Sequence, residues 1–209
     1  MERLSVPSGS PFTLDQLFEQ KGITVYGASS PDIDPHYTEV ARQLGAAIAA
    51  RGVPAICGGG RTGMMAAVIE GAVSAGGTAI GVLPHFMIER AWHNTALTQI
   101  VATDSMHTRK ETMARLSFAA IALPGGCGTF EELLEIITWR QLGLYQGHVI
   151  IFNINGYYDP LLSMLQSSID QHFMNPDHRR LWNVVTSVEE AMEIALRPVE
   201  YREFTQKVK

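Results

Sequence analysis

Short apolar runs alternate with longer amphipathic stretches along most of this chain. The apolar runs predict strands at residues 23–26, 54–57, 78–83, 100–102, 118–123, 148–152 and 182–185. Most of these runs are apolar at successive positions, which is typical of strands that are buried on both faces of a parallel sheet. Helical periodicity and stop signals predict one helix after Thr13, another that ends near residue 141, and further helices at residues 37–51, 64–75, 106–116, 157–173 and 188–196. The alternation predicts an α/β fold in which helices cover both faces of a mostly parallel sheet.

The domain boundaries follow from local composition. Residues 1–12 are polar and rich in Ser and Pro, which predicts a flexible lead-in, and residues 198–209 are expected to form a C-terminal tail. Neither a repeat nor a linker interrupts the rest, so residues 13–197 are predicted to form one domain. Residues 84–99 show no clear periodicity and are predicted to be irregular. An irregular stretch of that length in a compact domain is often functional.

Composition and charge exclude several classes of protein. The 209 residues are 46% hydrophobic and 18% charged, which is ordinary for a globular protein, and the formal net charge is −5. An acidic surface repels a phosphate backbone, so binding to a nucleic-acid polymer is not expected. The two cysteines, Cys57 and Cys127, lack the spacing of a zinc or redox motif. No signal peptide and no membrane-spanning run is apparent, so we expect a cytoplasmic protein without a membrane partner.

Three of the predicted strands end in loops rich in small residues. These loops are residues 27–30, 58–63 and 124–129, and they hold eight of the 19 glycines. In open α/β sheets, ligands bind beyond the carboxyl ends of the strands, where backbone N–H groups and helix N-termini attract anions. Neither the Gly-x-Gly-x-x-Gly fingerprint nor a Walker loop occurs. The pattern therefore predicts a phosphate-bearing ligand at a site of another type, although glycines after strands also make ordinary tight turns.

Two charged segments have both a structural and a functional interpretation. Thr129 and Glu132 have the spacing of a capping box, and from spacing alone a purely structural role for Glu132 is favoured. Thr108 and Glu111 have the same spacing, so this run also fits a helix start. Arg109 and Lys110 near a helix N-terminus are unfavourable for the helix dipole, and a bound anion would relieve that cost.

Taken together, the motifs resemble the LOG family of cytokinin riboside 5′-monophosphate phosphoribohydrolases and related nucleotide hydrolases. The Pro-Gly-Gly-x-Gly-Thr-x-x-Glu motif is complete at residues 124–132, and Met-His-x-Arg-Lys-x-x-Met is complete at residues 106–113. The Gly-Gly-Gly-x-x-Gly-x-Met loop is present at residues 58–65, and residues 138–143 and 155–158 are also similar to the family. The resemblance covers nearly the whole predicted domain.

The resemblance implies a Rossmann-like three-layer sandwich and hydrolysis of the N-glycosidic bond of a nucleoside 5′-monophosphate. It implies Arg109 and Glu132 as the catalytic pair, no cofactor, and a homodimer whose active site is completed across the interface. The candidate substrate- and phosphate-binding residues are Ser29, Gly59, Gly60, Lys110, Gly125, Gly126, Gly128 and Thr129. Glu89, His93 and Met106 are candidates for further contacts. A carboxylate near the anomeric carbon suits this reaction, because it stabilises an oxocarbenium-like ribose and orients water.

The chain departs from the family pattern at positions that bear on base recognition. Many relatives carry Asp where this chain has Phe118, and they often carry Glu and His where it has Ala91 and Asn94. The family was once labelled lysine decarboxylase-like, but pyridoxal chemistry needs a Schiff-base lysine, and of four lysines only Lys110 lies in a motif. A non-catalytic carrier or sensor of a phosphorylated cofactor of the molybdopterin type, on the same fold, is the alternative function.

Overall fold

Seven parallel strands form the centre of the protein, which a computed structural model describes from residue 4 to residue 199. The strands are β1 (Gly22–Tyr26), β2 (Ala55–Cys57), β3 (Ala79–Pro84), β4 (Gln99–Thr103), β5 (Ser117–Ala122), β6 (His148–Phe152) and β7 (Asn183–Val185). Their order in the sheet is β4-β3-β2-β1-β5-β6-β7, and every pair is parallel. All seven predicted strands are therefore confirmed, with ends within two residues of those predicted.

Helices cover both faces of the sheet. They are α1 (Leu14–Glu19), α2 (Pro35–Ala50), α3 (Gly63–Ser74), α4 (His85–Glu89), α5 (Met106–Arg115), α6 (Cys127–Gln141), α7 (Asp159–Asp170) and α8 (Val188–Leu196). Short 3-10 helices occupy Ile154–Gly156 and Pro176–Leu181. One core layer joins α2, α3 and α8 to the sheet, and a second joins α1, α5, α6 and α7 to the opposite face. The predicted Rossmann-like three-layer sandwich is confirmed.

The strand order places a topological switch point between β1 and β5. From β1 the chain adds strands on one side as far as β4, then α5 carries it back so that β5 pairs with the other side of β1. Connections diverge at such a point and leave a crevice beyond the carboxyl ends of the two strands. The loops after β1, β2 and β5 all lie at this edge. The three glycine-rich segments of the sequence therefore meet in one place.

Both predicted capping boxes near the charged segments are wrong, because each helix begins earlier than the spacing suggested. Helix α5 starts after Ser105, whose hydroxyl accepts from the backbone N–H of Thr108 at 3.1 Å. Helix α6 starts after Gly126 without a side-chain cap, so Glu132 lies in its second turn rather than at its N-terminus. By contrast, Thr13 and Gln16 do form the capping box of α1.

Two segments that were predicted to lack structure are partly ordered. Residues 85–89 of the predicted irregular stretch form α4. In the predicted lead-in, Ser5 exchanges two backbone hydrogen bonds with Ala102, Ser5 N to Ala102 O at 3.1 Å and the reverse at 2.8 Å. Because β4 is an edge strand, these bonds satisfy part of its open backbone. Most of the predicted C-terminal tail lies outside the described residues. Within residues 4–199, no helix is both long and apolar enough to cross a membrane.

Helices α2 and α3 touch backbone to backbone through two glycines. A Cβ atom at Gly71 would overlap the carbonyl oxygen of Arg42, and one at Gly45 would overlap that of Val68. We expect Gly71→Ala to destabilise the fold by about 1–3 kcal/mol in urea unfolding, because overpacking forces the helices apart. Ser74→Ala, at an exposed position of α3, is the control and should change stability by less than about 0.5 kcal/mol. A variant at Gly71 that is as stable as the parent would show that α3 can move away freely.

Candidate active site

A buried ion pair between α5 and α6 lies at the centre of the candidate site. Arg109, in the first turn of α5, places Nη1 3.2 Å from Oε1 of Glu132. The two side chains are only 7% and 13% exposed. Arg109 also donates from Nε to the carbonyl oxygen of Val82 in β3 at 3.0 Å, which fixes the guanidinium at the carboxyl end of the sheet. The two residues come from separate sequence motifs and meet only in the fold.

The glycine loop after β2 is shaped around this arginine. A Cβ atom at Gly58 would overlap Nη2 of Arg109, so only glycine allows the guanidinium to approach the backbone there. Gly59 has φ +73°, and its carbonyl oxygen accepts from the backbone N–H of Asn94 at 2.8 Å. Gly60 forms an isolated bridge with His93. Gly59 and Gly60 thus hold the 85–98 segment beside the site.

Burial and nearby charges both act on the ion pair. Burial raises the pKa of Glu132 above its ordinary value, and the charge and hydrogen bond of Arg109 lower it. Smaller effects come from Glu131, which raises this pKa, and from Lys110, which lowers it. The net direction is upward. Burial raises the pKa of Cys57 to about 11 and holds that of Tyr26 well above its usual range. These two neighbours therefore stay neutral near pH 7, and the charge of Glu132 is balanced chiefly by Arg109.

The glycines of the loop before α6 divide into two kinds. Gly125 is buried, and a Cβ atom there would overlap the hydroxyl of Thr129, which is itself 5% exposed. Gly126 and Gly128 are exposed, and a Cβ atom at either would meet nothing within 4 Å. The N-terminus of α6 has no side-chain cap, so its first N–H groups, at residues 127–129, face the space around Gly126 and Gly128. An anion fits this end of the helix.

Two tyrosines that were not predicted as site residues donate hydrogen bonds to the backbone at the end of β5 and in the loop before α6. The Tyr157 hydroxyl donates to the carbonyl oxygen of Gly125 at 2.6 Å, and that of Tyr158 donates to Leu123 O at 2.7 Å. Both tyrosines belong to the segment at residues 155–158 that resembles the family. That resemblance was the feature of the sequence by which they could have been identified. Ala28 N–H donates to Pro124 O at 3.0 Å, so the loops after β1 and β5 are also joined directly.

Ser29 lies exposed at the same edge, and its carbonyl oxygen accepts from the Thr62 hydroxyl at 2.5 Å. Gly63, with φ +66°, packs against the backbone carbonyl groups of Ala28 and Ser30, and the Met64 N–H donates to Ala28 O at 2.8 Å. The loops after β1 and β2 are therefore fastened to each other. All three glycine loops form one connected edge, as the sequence predicted.

The remaining candidates are not all directed at the glycine loops. The Lys110 ammonium contacts Glu131 and lies 3.0 Å from Oε2 of Glu135 on α6. Met106 is 45% exposed at the start of α5, and Glu89 is exposed at the end of α4. His93 is half-buried, and among the described residues its Nδ1 has no hydrogen-bond partner. Residues 4–199 contain no group of three or more His, Cys, Asp or Glu side chains that could hold a metal ion.

Known proteins share both the sequence pattern and the fold of this chain. Residues 65–195 match a family model described as "Possible lysine decarboxylase". Cytokinin riboside 5′-monophosphate phosphoribohydrolase LOG7 of Arabidopsis thaliana is 38% identical over 181 residues, which cover 87% of this chain and 82% of the relative. The enzyme named LOG from Oryza sativa subsp. japonica is 38% identical over 179 residues, covering 86% and 73%.

A solved structure shares the fold. The molybdenum cofactor binding protein of Rippkaea orientalis superposes with a TM-score of 0.64 at 24% identity, over 83% of this chain and 94% of that one. At this identity the likeness concerns the fold alone.

The geometry makes a direct prediction for the ion pair. Arg109→Met should raise the pKa of Glu132 further, because the positive charge that most favours the carboxylate is lost. We expect this in a ¹³C NMR titration of the glutamate carboxyl groups. The variant should also lose about 3–5 kcal/mol of stability at neutral pH, since it leaves a buried charge unpaired.

Arg42→Met is the matched control, because it breaks an exposed salt bridge, Arg42 to Glu70, between two other helices. It should leave the titration of Glu132 unchanged and cost at most about 1 kcal/mol. An unchanged Glu132 titration in Arg109→Met would show that the ion pair does not form in solution.

Proposed function

The chain belongs to the LOG family, and we propose that it hydrolyses the N-glycosidic bond of a nucleoside 5′-monophosphate to a free base and ribose 5-phosphate. The observation that carries this proposal is the buried Arg109–Glu132 pair beside an open, uncapped helix N-terminus. The ion pair offers a carboxylate for a developing sugar cation, and the helix N-terminus offers backbone N–H donors for a phosphate. The named activity of the curated relatives supports the same reaction.

The proposed reaction breaks the bond between C1′ of the ribose and the base nitrogen. The bonding electrons leave with the base, which takes up a proton, and a water oxygen bonds to C1′ and loses a proton. Glu132 would face the oxocarbenium-like ribose in the transition state and orient this water. A carboxylate in a poorly solvated site stabilises such a cation more strongly than one in water.

The spacing along α6 suits this substrate. Gly128 and Glu132 are four residues apart, so they share one face of the helix with a rise of ~6 Å between them. A phosphate bound at the N–H groups of residues 127–129 would place its ribose along that face, toward Glu132. Binding of the phosphate would then position the reacting bond.

Arg109 would serve the reaction chiefly through Glu132. Its hydrogen bond and charge favour the ionised form of Glu132, and its bond to Val82 fixes the orientation of the pair. The guanidinium has further N–H groups, which would contact oxygen atoms of the sugar or the departing base. The description of the family model as a lysine decarboxylase finds no support in this site, because Lys110 is engaged by two carboxylates.

We also propose a substrate class, a location and an oligomeric state for this chain. Cytokinin nucleotides are proposed substrates, since the curated relatives carry that name. A cytoplasmic homodimer is proposed from the family. Self-association is supported by Leu134, Leu142 and Leu144, which are 41%, 52% and 72% exposed within or just beyond α6. Nucleic-acid polymers and membranes are not expected as partners.

A carrier of a phosphorylated cofactor is the competing function. The likeness to a molybdenum cofactor binding protein supports only a shared fold. A carrier has no need of a buried arginine–carboxylate pair, whose formation removes two charges from water at a considerable cost. The pair therefore favours chemistry. A purified protein that retained a pterin and released no base would reverse this preference.

Glu132→Gln tests the proposed chemistry. We expect kcat for base release from AMP and prenylated AMP to fall by about 10³-fold or more, because the amide lacks the negative charge that stabilises the sugar cation. The affinity for AMP should change by less than about threefold, since the phosphate donors are untouched. Base release is followed by chromatography and binding by calorimetry. Unchanged turnover would assign Glu132 a structural role, and a wild-type protein inactive on every purine monophosphate would refute the proposed function.

The phosphate requirement gives a second test. We expect AMP to be hydrolysed with a kcat/KM at least about 100-fold above that of adenosine, because adenosine lacks the group that positions the reacting bond. Gly128→Leu adds a side chain to the open space at the start of α6 and should abolish most of this advantage without lowering Tm. Glu89→Gln, at the exposed end of α4, tests the further-contact candidate. Equal rates for AMP and adenosine in the wild-type protein would rule out a phosphate site here.

A further inference from the structure

Two adjacent residues of α5 contact two adjacent residues of α6. Arg109 pairs with Glu132, and Lys110 contacts Glu131, so the two helices are joined at neighbouring positions. Lys110 also reaches Glu135, one turn further along α6. Its side chain is only 12% exposed, although lysine is rarely buried unless it is paired.

We propose that Lys110 is a positioning residue that aligns α5 with α6 and neutralises Glu131 beside Glu132, and that it does not contact the substrate phosphate. This inference rests on the proposed function. It replaces the expectation that Lys110 belongs to the phosphate site.

The ammonium group of Lys110 lies between two carboxylates of α6. The proposed phosphate site lies at the N–H groups of residues 127–129, whereas Nζ of Lys110 is held between Glu131 and Glu135. These two residues follow Gly128 by a rise of ~4.5 Å and ~10.5 Å along the helix. A phosphate brought to Nζ would also lie beside two carboxylates, which repel it. Lys110 is thus placed to act on α6 and not on an anion at its N-terminus.

Groups on several elements act on the charge of Glu132. The titratable or charged groups that face it are Tyr26 from β1, Cys57 from β2, Arg109 and Lys110 from α5, Glu131 from α6, and Tyr158. Glu131 raises the pKa of Glu132, and Lys110 lowers it. Lys110 therefore counteracts the neighbouring carboxylate and opposes the rise in the pKa of Glu132.

Substitution of each partner separates the two roles of Lys110. Lys110→Met should raise the pKa of Glu132 and shift the acidic limb of the kcat profile to higher pH. At pH 6, kcat should fall about tenfold, while Kd for ribose 5-phosphate and for inorganic phosphate changes less than about twofold. Lys110→Arg should restore most of kcat, because it keeps the charge. Arg42→Met, which removes an exposed interhelical salt bridge far along the chain from these motifs, should change none of these quantities.

Glu131→Gln is the sharpest variant, because it keeps the contact between Lys110 and Glu135 and so does not depend on tolerance of a lost lysine. We expect it to lower the pKa of Glu132 and to move the acidic limb to lower pH. The double variant Lys110→Met with Glu131→Gln should bring the pKa back toward that of the wild type. A phosphate-binding lysine would behave differently. In Glu131→Gln it would bind inorganic phosphate more tightly than in the wild type. In Lys110→Met, ribose 5-phosphate and inorganic phosphate would both bind at least about 100-fold more weakly.

The readouts distinguish failure of this inference from failure of the proposed function. The Glu132 titration by ¹³C NMR and the calorimetric Kd values require no turnover. Base release by the wild type together with a large loss of phosphate affinity in Lys110→Met would overturn the positioning role and leave the function intact. The expected pKa changes in a protein that releases no base would uphold the coupling of Lys110 to Glu132 and refute the hydrolase.

Discussion

The buried pair of Arg109 and Glu132 is the constraint on which the rest of the site depends. Two charges removed from water are stable only if their geometry is good and their remaining hydrogen-bonding groups are satisfied. Here the Val82 carbonyl accepts from Nε of Arg109, and the absent side chain of Gly58 leaves room for Nη2. The carboxyl end of β3, the glycine loop after β2 and the helices α5 and α6 must therefore occupy fixed relative positions.

The topology of the sheet satisfies that constraint. The chain leaves β4 at one edge and returns through α5 to β5 beside β1, so α5 lies over the sheet where α6 begins. This crossover brings a residue from the 106–113 motif to one from the 124–132 motif. The same switch point gathers the three glycine loops, which are joined by backbone hydrogen bonds through Ala28. The pair and the open end of α6 are thus two results of one chain path.

The fold was predictable from the sequence to a greater extent than the geometry of the site. Successive apolar residues report burial on both faces, so strands such as Ile23–Tyr26 and His148–Phe152 could be located and their parallel arrangement inferred. The start of α5 at Met106 was predicted from periodicity, but its cap was not, because Ser105 and Thr108 are both good caps and only the structure shows that Ser105 is used. The contacts of Lys110 could not be predicted either, since its partners lie 21 and 25 residues away. Likewise, spacing alone favoured a cap at Glu132, and only the tertiary fold places Arg109 against it.

The acidic net charge of the chain has a specific consequence at this site. Arg109 and Lys110 are both engaged by glutamates, so neither is a free counterion for a phosphate. The donors that stay open are backbone N–H groups at the start of α6, which carry only partial charge and do not titrate. Such donors attract a single anion that fits the helix end, but they supply no extended positive surface for a polymer. The engagement of the cations within the protein therefore favours one small phosphorylated ligand, while their charge opposes the rise in the pKa of Glu132 that burial causes.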